Sequence, residues 1–462
     1  MNTSNEKEAN DLNLKENNAN DDNANDDNAN DDNANDDNAN DDNVGETDKD
    51  DNAGETDKDD NVGETGKDDK SKLVLKRKKL ITDKVGLIII GVIVVVFIIL
   101  MILFSEGFRI KKTMSGFETY YRYQTIKNYD YKKKGDKILA NHYIASSYNC
   151  CNVKNPTFSY MNSDKILKGI LKSGARYIEV KIFNNKFGVK NIQPVINNGF
   201  ETGEWKLCFN SVDFEDFCKV LDKHAFRINK KMPDGSIDGV PNFKDPLFIS
   251  LDLKTRNNVS TLNNVAELLI KYFKNRFLKP DYKYANNPNL LNIKMKELKD
   301  RVIIFSSNGY QGSYLENIIN GSWETEGNLQ RHYWEDLEAL NAEDKKIFIS
   351  KTKQKLTIIT PDPDLDKVGK LRLFTKQNYN TKTAFDLGCH FISVYYQHID
   401  NYIDDYITKF RNSSIIEKPK DLHINYKKET ETKEATQAKQ YNYQGYRNKL
   451  DELKDYLENI RD

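Results

Sequence analysis

C-x-x-C cysteine pairs, phosphate-cradling glycines and clustered histidines are all missing from this chain of 462 residues. Its five cysteines, Cys150, Cys151, Cys208, Cys218 and Cys389, show no C-x-x-C spacing. That leaves a zinc or redox motif without support, and five scattered thiols are too few for a disulfide scaffold. The stretch NNGFETGEW (197–205) looks glycine-rich but has neither a G-x-G-x-x-G nor a Walker pattern, which argues against nucleotide binding. Tyrosine is abundant, yet no basic–aromatic sheet motif of the RNA-binding kind occurs, so no nucleic-acid partner is expected. The six histidines stand apart from one another, and a lone histidine on a strand or helix is more often a satisfied structural residue than a catalyst.

An excess of either charge is missing too, but only on average. The net charge of −1 is a cancellation: residues 1–70 carry 25 Asp and Glu against 6 Lys, so the remainder is basic. Those remaining lysines are spread along the chain, which reads first as a solvated surface and only second as attraction to an anionic lipid. The acidic segment is repetitive, with NANDD five times over 18–42 and then three nonads ending at Asp69. With almost no large apolar residue it cannot offset its ordering entropy, and 1–70 is expected to be disordered. Its carboxylates lack the glycine and bidentate glutamate of an EF-hand loop.

A basic segment (71–84, with KLVLKRKKL at 72–80) then leads into VGLIIIGVIVVVFIILMILF, residues 85–104. Twenty uncharged residues match the thickness of a hydrocarbon core, and no polar stripe marks a buried core helix. The run begins too deep in the chain for a cleaved signal peptide. A single transmembrane helix is therefore expected over 85–104, making the membrane the first partner. Six cations precede it and three follow closely, which favours a cytosolic tail and a barrel on the opposite side. Sequons at Asn258, Asn320 and Asn412 fit that side, although an asparagine-rich chain produces sequons by chance.

From about 117 to 422, apolar β-branched runs alternate with amphipathic ones. HYIAS, YIEVKIF, IQPVI, PLFISLDLK, RVIIFSS, KLTIITP and CHFISVYY read as strands. SDKILKGILKSG, VDFEDFCKVLDKHAF and TLNNVAELLIKYF read as helices. About three hundred residues of this pattern predict an α/β fold, a TIM-type (β/α)8 barrel. The polar segment 423–462 ends in YRNKLDELKDYLENIRD, where Leu450, Leu453, Leu457 and Ile460 follow a/d spacing. That is a helix which either docks on the barrel or meets a protein partner through 440–462.

The ends of these strands resemble the catalytic barrel of phosphoinositide-specific phospholipase C, in an X half at about 135–310 and a Y half at about 330–422. IASSYNCC is similar to the family's I-x-S-S-H-N-T-Y, GARYIEVKIF to G-C-R-x-x-E-L-D-x-W, and PVINNG to P-x-x-x-H-G. LFISLDLK is similar to V-I-L-S-L-E, KLTIITP to L-S-R-I-Y-P, and NYNTKTAFDLGCHFISVYYQ to N-Y-x-P-x-x-x-W-x-x-G-C-Q-x-V-A-L-N-x-Q. The resemblance leaves no length for the C2 domain that usually follows such a barrel. It implies two catalytic histidines, Asn, Asp and Glu ligands for Ca2+, and cations gripping the inositol phosphates.

Carried over residue by residue, much of that equipment is replaced. The two histidine positions hold Tyr148 and Asn198, and the aspartate ligand is Lys181. The lysine pair falls near Phe305 and Ser307, and the Arg and Tyr of R-I-Y-P are Ile358 and Thr360. Asn149, Glu179 and Asp252 survive as oxygen donors. A tyrosine titrates near pH 10 and shuttles protons poorly at neutrality; an asparagine does not transfer them. The expectation is a membrane-anchored phospholipase C-like pseudoenzyme that binds or scaffolds, with no cofactor, or Ca2+ only if a residual site survives. Its ligand would be an anionic lipid headgroup. An ion pair from Lys181 to Glu179 or Asp252 would stand in for the metal. The alternative is a divergent phosphoric diester hydrolase that relies on Tyr148.

Overall fold

The computed structural model describes residues 68–154, 159–185, 193–199, 205–228, 230–231, 237–323, 327–361 and 378–424. The expectations for the repeats before residue 68 and for 425–462, with its proposed partner surface, lie outside the described residues. The chain divides into two units, Met1–Ile81 and Thr82–Asp462. Helix α1, Asp68–Phe104, takes in both the basic segment and the apolar run that the sequence suggested as separate pieces. Its stretch Lys72–Ile102 is long and apolar enough to cross a membrane, and none of its apolar window is buried. Ser105 ends it: its extended backbone breaks the helix, and its Oγ accepts from Phe108 N to cap α2, Glu106–Tyr123.

Eight parallel strands follow. They are β1 (His142–Ser147), β2 (Tyr177–Asn184), β3 (Leu247–Lys254), β4 (Val302–Ser306), β5 (Gly321–Ser322), β6 (Leu329–Tyr333), β7 (Leu356–Thr360) and β8 (Phe391–Val394). The ladder runs β6-β7-β8-β1-β2-β3-β4-β5, which wraps the sheet nearly into a barrel. The gap lies between β5 and β6, where Ser322 N donates to Asn328 Oδ1 instead of to a strand. The sequence placed no strand at β5 or β6. The first is two residues long, and in LQRHY only Leu329 is fully buried, so neither presents a β-branched apolar run. IQPVI is not a barrel strand: Pro194–Ile196 pairs antiparallel with the end of β2.

Alternation along the strands sends Ile144, Tyr177, Phe248, Phe305, Leu329, Ile358 and Phe391 to one interior cluster. Four aromatic rings close its middle, with Phe248 and Phe391 centroids 5.0 Å apart and Tyr177 and Phe391 4.9 Å apart. The opposite faces pack on helices. Ile166, Leu167, Ile170 and Leu171 are all buried, as their spacing predicts. In Val259–Phe273 the buried stripe is Leu262, Val265, Ala266, Leu269 and Phe273, while Leu268 and Tyr272 are only partly covered.

Helix α2 lies against the helical run after β1, Ser163–Leu167 and Lys168–Lys172. Phe117 packs on Gly169, where an added Cβ would come within 2.5 Å of its ring. Thr113 Oγ1 donates to Val153 O at 2.8 Å, and Gln124 Nε2 to Ser173 O at 3.0 Å.

All six histidines have structural settings. His142 Nδ1 donates to Ile138 O at 2.8 Å, which leaves Nε2 to accept from Tyr129 Oη at 2.9 Å. Burial pushes its pKa down to about 4. A histidine depressed in the folded state contributes stability above its unfolded pKa of about 6.5, lost as pH falls towards 4. Comparing urea unfolding at pH 7 and pH 4.5, we expect His142→Gln to remove roughly 2 kcal/mol of the native chain's loss. Equal losses in both proteins would refute this. His390 Nδ1 accepts from Thr357 N, and Nε2 donates to Ala140 O. His224 and His398 approach Asp238 and Asp400, His332 packs on Phe348, and His423 Nε2 donates to Lys418 O.

Candidate functional site

The C-terminal ends of the barrel strands gather the residues that the sequence singled out, because the inward alternation of each strand continues past the aromatic floor. Glu179 and Lys181 follow Tyr177 on β2. Asp252 and Lys254 follow Phe248 and Ser250 on β3, with Lys181 directly opposite Asp252 in the ladder. Tyr148 and Asn149 come directly after β1, and Asn149 takes a left-handed backbone, φ 46°, to turn the chain away. Asn198 follows Pro194–Ile196, and its Oδ1 accepts from Asn149 Nδ2 at 3.5 Å.

One member was not foreseen. Arg331, on β6, reaches across the mouth and places a guanidinium nitrogen 2.7 Å from Glu179 Oε1 and another 3.9 Å from Asp252 Oδ2. Lys254 Nζ lies 3.5 Å from Asp252 Oδ1. The Arg331 guanidinium also sits over Trp323, 5.4 Å from the ring centroid. Tyr177 Oη donates to Glu179 Oε2 at 2.8 Å from the floor below. Burial raises the Glu179 carboxyl above its ordinary pKa, with Arg331 as the largest opposing influence. At Asp252 burial acts in the same direction, but Lys254, Arg331 and Lys181 outweigh it and the pKa is lowered. Burial opposes the charge on Arg331 as well, and Glu179 and Asp252 override it, so the guanidinium stays protonated.

Lys181 takes a different contact from the one expected. Its ammonium lies over the Tyr148 ring, 5.7 Å from the centroid, while its charge still acts on Asp252 and Glu179. Tyr148 is 1% exposed, its ring edge-on to Tyr395 at 5.5 Å. Ser307 Oγ accepts from Leu253 N at 2.8 Å, and Thr360 is buried opposite Tyr333. Phe305 and Ile358 belong to the interior cluster.

Three cationic side chains thus surround two carboxylates. A Ca2+ ion needs six to eight oxygens and an excess of negative charge. Here the carboxylates already hold ammonium and guanidinium partners, and a dication would add to an existing positive sum. Among the described residues, this donor set does not fit the metal. Arg331 could have been sought in the sequence only by asking which inward-facing cation could neutralise Glu179, and that question needs β6 to be recognised first.

Residues 136–308 match the family model described as phosphatidylinositol-specific phospholipase C, X domain. Among solved structures, L. pealei PLC21 is 16% identical with a TM-score of 0.48, over 62% of this chain and 38% of that one. S. officinalis PLC21 is 16% identical with a TM-score of 0.49, over 64% and 39% respectively. A calcium-dependent phosphoinositol-specific phospholipase C from Pseudomonas sp. is 10% identical with a TM-score of 0.37, over 62% of this chain and 96% of that one. The chain thus spans well under half the length of the first two proteins. No curated protein matches it.

Proposed function

We propose, on the premise that residues 136–308 are the X-domain half of a barrel of the phosphatidylinositol-specific phospholipase C type, that this protein is a membrane-anchored pseudoenzyme. Its barrel binds or scaffolds and does not cleave. The observation that carries this reading is the cation set Arg331, Lys181 and Lys254 around Glu179 and Asp252. Tyr148 and Asn198, at the two histidine positions, supply no acid–base pair for neutral pH. The apolar run of α1 supports a single membrane span. The excess of cations on its N-terminal side supports a cytosolic tail with the barrel across the membrane. An anionic lipid headgroup suits the net positive charge of the mouth. That charge also suits the phosphodiester substrate of the second reading, a divergent hydrolase.

The full chain in phosphatidylcholine vesicles, offered phosphatidylinositol and its phosphorylated forms with and without Ca2+, is expected to release no soluble headgroup above the rate of vesicles alone. Turnover that disappears in Tyr148→Phe would replace this reading with the divergent hydrolase.

A further inference from the structure

The barrel has a second charged cleft, at the end opposite the mouth. Its volume is about 830 Å3, the size of a small-molecule site, and it lies where the chain enters β4. Arg301 directly precedes β4, and Arg276 ends the helical turn Lys274–Arg276 that follows Val259–Phe273. Phe277 bridges to Val302, which sets the two arginine-bearing segments side by side. Each guanidinium then reaches the other's segment. Arg276 Nη1 donates to Asp300 O and Arg301 Nη1 to Asn275 O, both at 3.4 Å.

Two like charges held together call for an anion, and the surrounding chain supplies none. Among the described residues neither arginine, nor Lys279 beside them, forms an ion pair. Asp300 adjoins Arg301 in sequence, but it turns on a left-handed backbone, φ 60°, and its carboxylate lies 3.9 Å from Lys299. Lys296 is engaged by Asp136 at 2.7 Å, and Glu297 accepts from the Tyr282 hydroxyl at 2.9 Å. With Asp222, the lining carries five cations and three carboxylates, a sum of two positive charges. One phosphate monoester, carrying close to two negative charges at neutral pH, cancels that sum. Arg276 is prepared for such a ligand. Its guanidinium sits over Phe226, 4.1 Å from the ring centroid, which fixes its plane and leaves the in-plane N–H groups to a bidentate partner. The Tyr272 and Tyr282 side chains line the wall along which an organic body would lie.

We infer that this cleft binds the phosphate monoester of a small organic molecule, with Arg276 and Arg301 gripping the phosphate and Lys279 and Lys299 completing its charge. The site is separate from Glu179 and Asp252, and it does not depend on whether the mouth is catalytic.

The test is equilibrium dialysis of the full chain, in phosphatidylcholine nanodiscs that leave both faces open, against radiolabelled glucose 6-phosphate at pH 7.5. One ester per chain is expected to bind, at least threefold tighter than inorganic phosphate, because the ester fills more of the cleft. Arg276→Gln/Arg301→Gln is expected to weaken binding at least tenfold. Lys279→Glu/Lys299→Glu, on exposed side chains, reverses the lining sum to two negative charges and should weaken it as much. A misfolded arginine variant therefore does not decide the matter. Lys181→Gln/Lys254→Gln in the mouth should leave binding within twofold. No saturable binding below about 10 mM, or equal affinity for ester and phosphate, overturns the inference. Binding that survives both cleft variants and disappears with the mouth variant overturns it too, and leaves the pseudoenzyme reading untouched.

Discussion

Replacing Arg331 by leucine should cost the barrel roughly 3–5 kcal/mol, the penalty of breaking a buried ion pair from one side. The loss falls on Glu179, which is fully buried and holds Arg331 at 2.7 Å. Without the guanidinium, among the described residues only the Tyr177 hydroxyl and the more distant lysines remain to support its charge, and the carboxyl must take up a proton or admit water. For a barrel of this size the midpoint of thermal unfolding should fall by about 10 °C. The double variant Arg331→Leu/Glu179→Leu separates this cause from lost packing. Removing both members of a buried pair is often nearly neutral, so the double variant should be more stable than Arg331→Leu alone, with a coupling energy above roughly 1 kcal/mol. A single variant that melts within 2 °C of the native chain would show that the pair contributes little.

Fold and site differed in how far the sequence exposed them. Strands such as VIIFS and LTIIT are continuous apolar, β-branched runs because both of their faces are covered, and such runs are readable without a structure. Helices reveal themselves through the stripe they bury, as Ile166, Leu167, Ile170 and Leu171 do. The site positions were legible for a different reason: they lie at the ends of strands whose motifs resemble those of a known family, and even spacing then puts Glu179 and Lys181 after Tyr177, or Asp252 after Phe248, on one face. Arg331 was not legible. Its strand is short and mostly half-covered, and a charged residue inside LQRHY looks like solvent-facing polarity until the opposite wall supplies Glu179. The contact of Lys181 was missed for a related reason. Ladder register sets it beside Asp252, but only the three-dimensional mouth shows the Tyr148 ring under its ammonium, with Arg331 and Lys254 already at the carboxylates.

The same charge count predicts how a cation site would return. In the native mouth Arg331, Lys181 and Lys254 face Glu179 and Asp252, a sum of one positive charge if all five are ionised. The variant Lys181→Asp/Arg331→Ser leaves Lys254 as the cation against three carboxylates, a sum of two negative charges. Asn149 and Asn198 remain nearby as neutral oxygen donors. Millimolar Ca2+ should leave the melting temperature of the native chain unchanged within 1 °C. The variant starts less stable, because three carboxylates now repel one another, and it should gain about 5 °C when Ca2+ exceeds its dissociation constant a hundredfold, a linkage of about 2.7 kcal/mol. Adding Glu179→Gln to the variant should abolish that gain, which distinguishes the mouth from the acidic repeats of residues 1–70, where Ca2+ would bind without stabilising the barrel. A native chain that is itself stabilised by Ca2+, in a manner lost with Glu179→Gln, would mean that the guanidinium yields to the ion and that Arg331 gates the site instead of replacing its metal.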